Sequence, residues 1–206
     1  TCALPISTVD LIEQCGQAGV GGVVVLSAGY REIGAQGAEL ERRLAEAVRR
    51  YRPMRLLGPN CLGLIVPRLK LSASFAHVIP KAGGVAFLSQ SGAVCTAVLD
   101  WAVKEQIGFS AVVSIGNAVN VGFGDLIDYL ALDPHTHSML LYVETIADAR
   151  RFMSAARSFT RTKPIVVYKG GRFPISAKAA ASHTGALAGE DAVYEAAFER
   201  AGLVRV

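Results

Sequence analysis

Four short runs rich in Val, Ile and Leu, at 85–88, 110–115, 139–143 and 165–168, recur at near-even spacing, each followed by a longer stretch. No other feature limits the fold as much. Continuous apolar runs of this length, bounded by glycine and small polar residues, suit strands buried on both faces. The segments between and after them, 93–104, 125–132, 148–159 and 191–201, read as helices, and 203–206 as a last strand. Strands joined through helices make right-handed βαβ crossovers and therefore a parallel sheet. Ligands collect at the carboxyl ends of such strands, where Ser89, Gly116, Glu144 and Gly170 fall.

The first part of the chain carries the same grammar in a shorter form. Residues 9–17 have helical spacing, 20–26 read as a buried strand ending in Ser27-Ala28-Gly29, and 39–51 form an amphipathic helix with Leu40, Leu44, Ala47 and Val48 on one face. A short strand at 55–57 stops at Gly58-Pro59-Asn60, because proline has no N–H to continue a ladder. This β-α-β unit reads as the later half of a doubly wound sheet; the earlier half, where a dinucleotide-type glycine fingerprint belongs, is expected upstream. Residues 67–84, with Pro67, Pro80, Gly83 and Gly84, show little periodicity and read as a connection.

Composition removes several classes. No run of 18 apolar residues occurs despite a 51% hydrophobic content, so no membrane-spanning helix is expected. The net charge of +4 comes with Arg42, Arg43, Arg49, Arg50 and Arg52 in one helix, a pattern that a solvated face explains. No basic stripe interleaved with aromatics accompanies it, so no nucleic-acid partner is expected. Cys2, Cys15, Cys61 and Cys95 have neither CxxC nor framework spacing, and residues 1–8 lack the pattern of a signal peptide. Reduced thiols and a cytoplasmic location are the expectation.

Two segments carry chemistry. Ser89-Gln90-Ser91-Gly92-Ala93 lies where a strand gives way to a helix, so backbone N–H groups and the helix dipole favour an anion. The same residues also suit a plain helix cap at Ser91. Ser182-His183-Thr184-Gly185 sits in a run of small residues, compatible with a solvated loop or with an imidazole nucleophile that ligand and backbone can approach. Glu144 follows an apolar strand; it is either an acid preceding a helix or a carboxylate that takes the N–H of His183 and fixes its tautomer. A Ser-His-acid hydrolase would use Ser91, Glu144 and His183 in that order, but Gly-x-Ser-x-Gly is absent, with Ser89 and Ala93 at the glycine positions. His135 and His137 have no evident third ligand, and no metal site is expected.

Leu57-Gly58-Pro59-Asn60-Cys61-Leu62-Gly63, Leu88-Ser89-Gln90-Ser91-Gly92-Ala93 and Ser182-His183-Thr184-Gly185 resemble, in order and spacing, the NDP-forming acyl-CoA synthetases. That family includes ADP-forming acetate–CoA ligase and is related to the succinyl-CoA synthetase alpha subunit. The resemblance implies an α/β fold: a truncated Rossmann-like CoA-binding unit over 1–75, then a flavodoxin-like parallel sheet over 76–206. It implies that His183 is phosphorylated, that Glu144 orients it, and that Ser89, Gln90, Ser91 and Gly92 hold the phosphoryl group. Leu26, Ser27, Ala28, Pro59 and Asn60 then fall where CoA is bound, with Ala28 standing in place of an acidic residue. Thr96 stands about where the succinate enzyme has a tyrosine, so succinate is not the implied acid. The implied partners are a small acid, phosphate, CoA, and ATP or ADP with Mg²⁺ on an ATP-grasp domain in the same polypeptide or another subunit, in an oligomer. Members fused to an acetyltransferase supply a second implication, a regulatory CoA- or acyl-CoA-binding module without turnover.

Overall fold

The computed structural model describes residues 5–171 and 191–206. The first unit contains helix α1 (Pro5–Gln17), strand β1 (Gly22–Val24), helix α2 (Ala35–Arg50) and strand β2 (Arg55–Leu57). β1 and β2 pair in parallel, with Gly22 opposite Arg55, and Val25 N–H extends the contact to the Leu57 carbonyl at 2.9 Å. The apolar face of α2, through Leu44, Ala47 and Val48, closes over Val9 and Ile12 of α1 together with Tyr30, Met54 and Leu56. Strand pairing is thus shorter than the apolar run 20–26, whose ends leave the ladder.

The remaining strands build one seven-stranded sheet in the order β4-β3-β6-β5-β7-β8-β9. Its elements are β3 (Gly63–Val66), β4 (Leu71–Ser74), β5 (Ala82–Ser89), α3 (Gly92–Lys104), β6 (Phe109–Ser114), α4 (Phe123–Ala131), β7 (Ser138–Val143), α5 (Ala149–Thr160), β8 (Ile165–Lys169), α6 (Asp191–Arg200) and β9 (Val204–Arg205). From β5 to β9 all neighbours are parallel, including β5 with both β6 and β7. Every residue of β6 is buried. This is the doubly covered sheet that continuous apolar strands require.

The stretch 67–84 is not the featureless connection that its prolines and glycines suggested. Pro67–Leu69 forms a 3-10 turn, Lys70 adopts φ 53°, and β4 returns antiparallel to β3, which in turn pairs antiparallel with β6. The hairpin escaped notice because β4 lies at the sheet edge with exposed and half-buried residues, Leu-Ser-Ala-Ser, and so lacks an apolar alternation. β3 and β4 therefore hydrogen-bond within the larger sheet, not with β1 and β2.

Helices cover both faces. α4, α5 and α6 bury Phe123, Phe152 and Phe198 against one face; Phe152 meets the other two rings edge-on at 6.2 and 6.1 Å. α3 packs on the other face through Cys95, Leu99 and Ala102, against Phe87, Phe109 and Val112. Leaving β5, the chain passes to β6 on one side and then to β7 on the other. That reversal opens a crevice at the carboxyl end of β5.

Candidate functional site

The crevice is built by the turn that joins β5 to α3. Ser89 is fully buried; its hydroxyl donates to the Ser91 carbonyl at 2.9 Å and accepts from Ser91 N–H at 3.1 Å. Ser91 Oγ in turn accepts from Val94 N–H at 3.3 Å and caps α3. Both sequence readings of Ser91 are thus compatible with one geometry, a capped helix whose N-terminus faces the crevice. β7 runs parallel beside β5 with Tyr142 opposite Ser89, so Glu144 emerges at the same edge as the turn. Gln90 ties the two together: its Oε1 accepts from Glu144 N–H at 2.7 Å and Thr145 N–H at 3.0 Å.

A cavity of about 600 Å³ occupies this edge and extends to the first unit. Gln90, Ser91, Gly92, Thr96 and Glu144 line one side, and Leu26, Ala28, Arg31 and Asn60 the other. Three residues expected at the site do not line it. Ser89 is enclosed by the turn it holds. The Ser27 carbonyl accepts from Asn60 N–H, and the Pro59 carbonyl from Asn117 N–H, each at 2.9 Å, so these two shape the cavity wall from behind. His183 lies outside the described residues.

Sequence reasoning missed the polar junction between the two units. Asn117, 8% exposed, donates through Nδ2 to Glu32 Oε2 at 2.9 Å and Glu41 Oε2 at 2.7 Å, and accepts from Asn60 Nδ2 at 3.2 Å. Arg31 reaches the Asn117 carbonyl at 2.7 Å and Glu41 at 3.3 Å. Nothing in the spacing of residues 31, 32, 41, 60 and 117 marks them as neighbours; only the fold joins them. Burial tends to raise the Glu32 pKa, but the Asn117 amide and the backbone N–H groups of Tyr30 and Gly29 together hold it below the ordinary carboxylate range.

Removing the amide with Asn117→Ala strips a donor from two carboxylates at once and should cost about 2 kcal/mol. For a chain of this size that lowers the thermal midpoint by about 4–8 °C. A midpoint unchanged within 1 °C by calorimetry would remove the junction from the account of stability. Because Glu32 has a depressed pKa in the folded state, its contribution is present above the unfolded-state pKa and fades as pH falls through the carboxylate range. The stability difference between wild type and Asn117→Ala should therefore shrink on acidification.

Other ionisable groups are structural by comparison. Burial pushes the Cys61 thiol up to about 11 and the Cys95 thiol to about 12, so both stay protonated and unreactive near neutrality. Lys169, at the end of β8, donates to the Gly170 carbonyl at 2.5 Å and lies 4.6 Å from the centre of the Tyr194 ring. Burial lowers its pKa, against the pull of Asp191 and Glu144. His137 N–H bonds the Gly84 carbonyl at 2.8 Å, which places the 135–137 pair at the amino end of β7, away from the crevice. Among the described residues no group of three His, Cys, Asp or Glu side chains could hold a metal, and no helix is long and apolar enough to cross a membrane.

An open sheet, mostly parallel, with a crevice at its strand reversal is the arrangement of ligand-binding α/β proteins. Residues 82–206 match the succinyl-CoA ligase like flavodoxin domain, and the chain belongs to that family. It is 48% identical over 193 residues to the ADP-forming acetate–CoA ligase I of Archaeoglobus fulgidus, a match spanning 94% of this chain and 28% of that protein. It is 45% identical over 196 residues to the alpha subunit of the ADP-forming acetate–CoA ligase I of Pyrococcus furiosus, spanning 95% of this chain and 42% of that subunit. The fold superposes with a TM-score of 0.92 and 40% identity on the dinucleotide forming acetyl-coenzyme A synthetase 1 of Ca. Korarchaeum cryptofilum, in complex with phosphate and ADP, covering 98% of this chain and 43% of that one. The chain thus spans less than half the length of these relatives.

Proposed function

We propose that this chain is the phosphohistidine-bearing part of an ADP-forming acyl-CoA ligase of the acetate–CoA type. The observation that carries the reading is the junction of a capped helix N-terminus and Glu144 at one edge of the sheet, in a cavity whose far wall is the first unit. The names of the relatives support the choice of reaction. The first unit is then the end of a CoA-binding domain over 1–75, followed by the flavodoxin-like unit over 76–206, although β3 and β4 already hydrogen-bond within the larger sheet.

The chemistry divides into three displacements. Phosphate attacks the thioester carbonyl of acyl-CoA, releasing CoA and leaving an acyl phosphate. A ring nitrogen of His183 attacks phosphorus and releases the acid; ADP then takes the phosphoryl group and the imidazole is restored. Splitting the transfer replaces one difficult step with in-line displacements that need positioning and charge neutralisation more than covalent help. The N-terminus of α3 at Ser91 and Gly92 supplies donors to the phosphoryl oxygens. Glu144 accepts the N–H of the other ring nitrogen, fixing the tautomer and steadying the positive charge that develops. Leu26, Ala28 and Asn60, which line the cavity wall, are assigned to CoA in this reading, with Ser27 and Pro59 behind them.

ATP or ADP with Mg²⁺ belongs to an ATP-grasp domain, in the same polypeptide or a partner subunit; the alpha-subunit name of the Pyrococcus relative supports that division. Buried reduced thiols at Cys61 and Cys95 fit a cytoplasmic setting, where CoA and nucleotides are available. The test is a coupled assay. This chain alone should form no ATP from acetyl-CoA, ADP and phosphate, and the complete enzyme, with the rest of the CoA-binding domain and the ATP-grasp part in place, should form one ATP per CoA released. Robust ATP formation by the isolated chain would contradict the division of labour, and CoA release without ATP would contradict the reaction.

A further inference from the structure

Gln90 falls in the motif that resembles a phosphate loop, yet its hydrogen bonds run to protein. Its N–H donates to the Tyr142 carbonyl at 3.2 Å. Its side-chain oxygen takes the N–H groups of both Glu144 and Thr145, at 2.7 and 3.0 Å, and its Nε2 reaches Thr145 Oγ1 at 3.4 Å. Only the amide oxygen can accept, so the orientation of the side chain is determined by these two donors. β7 ends at Val143, where the ladder to β8 stops, and the two residues beyond it would leave the sheet with their N–H groups unheld. One side chain from the neighbouring strand end supplies the acceptor for both.

Resting on the phosphohistidine reading, we infer that Gln90 is a positioning residue for Glu144 and not a ligand of the phosphoryl group. By holding the peptide planes on both sides of the Glu144 Cα, it sets the direction from which the carboxylate enters the crevice. The inference also explains the residue type. The position needs a neutral acceptor on an arm long enough to cross from β5 to β7, next to a carboxylate and beside an anion site; Glu would add charge there and Asn is one methylene short.

The experiment has two arms. In this chain, hydrogen exchange followed by NMR should show the Glu144 and Thr145 amides exchanging about tenfold faster or more in Gln90→Met, with the α3 amides unchanged. In the complete enzyme, the same variant should lower kcat about thirtyfold through misplacement of Glu144, with KM for phosphate within about twofold of wild type. Gln90→Asn gives the same readouts if the Met variant does not fold. Gln90→Glu keeps an acceptor at the same reach and should restore the slow exchange of the Glu144 and Thr145 amides, and fast exchange in that variant would overturn the clamp. A raised KM for phosphate at unchanged kcat would reassign Gln90 to the anion. Faster amide exchange with wild-type kinetics would leave it a purely structural clamp and overturn the inference. Absence of any labelled phosphoenzyme in the wild type would instead strike at the ligase reading, while the exchange arm still reports on the clamp.

Discussion

Incubated with Mg²⁺ and ATP radiolabelled in its γ-phosphate, the complete enzyme should acquire a protein-bound label that acid removes and alkali leaves, and His183→Ala should abolish it. A phosphorus–nitrogen bond has that stability profile, whereas a serine ester survives acid. His183 is the histidine of the small-residue run, and the motif holds no second histidine. Ligase turnover should fall with the label, by about 10³-fold or more, because loss of a covalent nucleophile removes an obligatory intermediate. Glu144→Gln should retain the fold and reduce the labelling rate by about 10²-fold, since an amide can present the wrong group to the imidazole and no longer offsets its positive charge. Label that persists in His183→Ala, or that survives acid, would show that another residue carries the phosphoryl group.

Gly116→Val should be the most destabilising single change at the cavity wall. Gly116 has φ +55°, and a Cβ there would lie 2.1 Å from the Pro59 carbonyl oxygen and 2.4 Å from that of Asn60. Both obstacles are backbone, so no rotamer change relieves them. The residues on either side are held as well: Ile115 N–H donates to the Ser89 carbonyl at 2.8 Å and Asn117 N–H to the Pro59 carbonyl at 2.9 Å. The segment thus joins the β5 turn to the Gly58–Asn60 turn and cannot retreat without breaking one bond or the other. Left-handed strain in a β-branched residue and overpacking together should cost about 4 kcal/mol, or about 8–16 °C in thermal midpoint at this chain length. Gly122→Ala is the control: nothing lies within 4 Å of a Cβ there, and the change should cost about 1 kcal/mol or less. A Gly116→Val midpoint within 2 °C of wild type would mean that the two turns are not locked against each other as described.

The sheet from β5 to β8 follows from local pattern, because its strands are short apolar runs that alternate with helices, the order that a parallel α/β sheet requires. The helix starts are local too: Ser91 and Asp148 each accept from an N–H three residues on, a contact that needs no distant partner. The motif residues Ser89 to Gly92, Glu144 and Asn60 stand out locally too, as polar residues and glycine just past the ends of apolar strands. What local pattern does not contain is pairing across the chain. β4 carries a weak pattern and becomes a strand because β3, itself paired with β6, offers it an edge. Asn117 looks like an ordinary loop residue until the fold brings it to Glu32 and Glu41, 85 and 76 positions away. Gln90 reads as part of an anion loop, and only the parallel register of β5 with β7 turns its side chain into the acceptor for Glu144. Periodicity and capping are set within a few residues, so sequence determines them; the partner of a side chain depends on which strands lie side by side, and that is settled only when the whole sheet has formed.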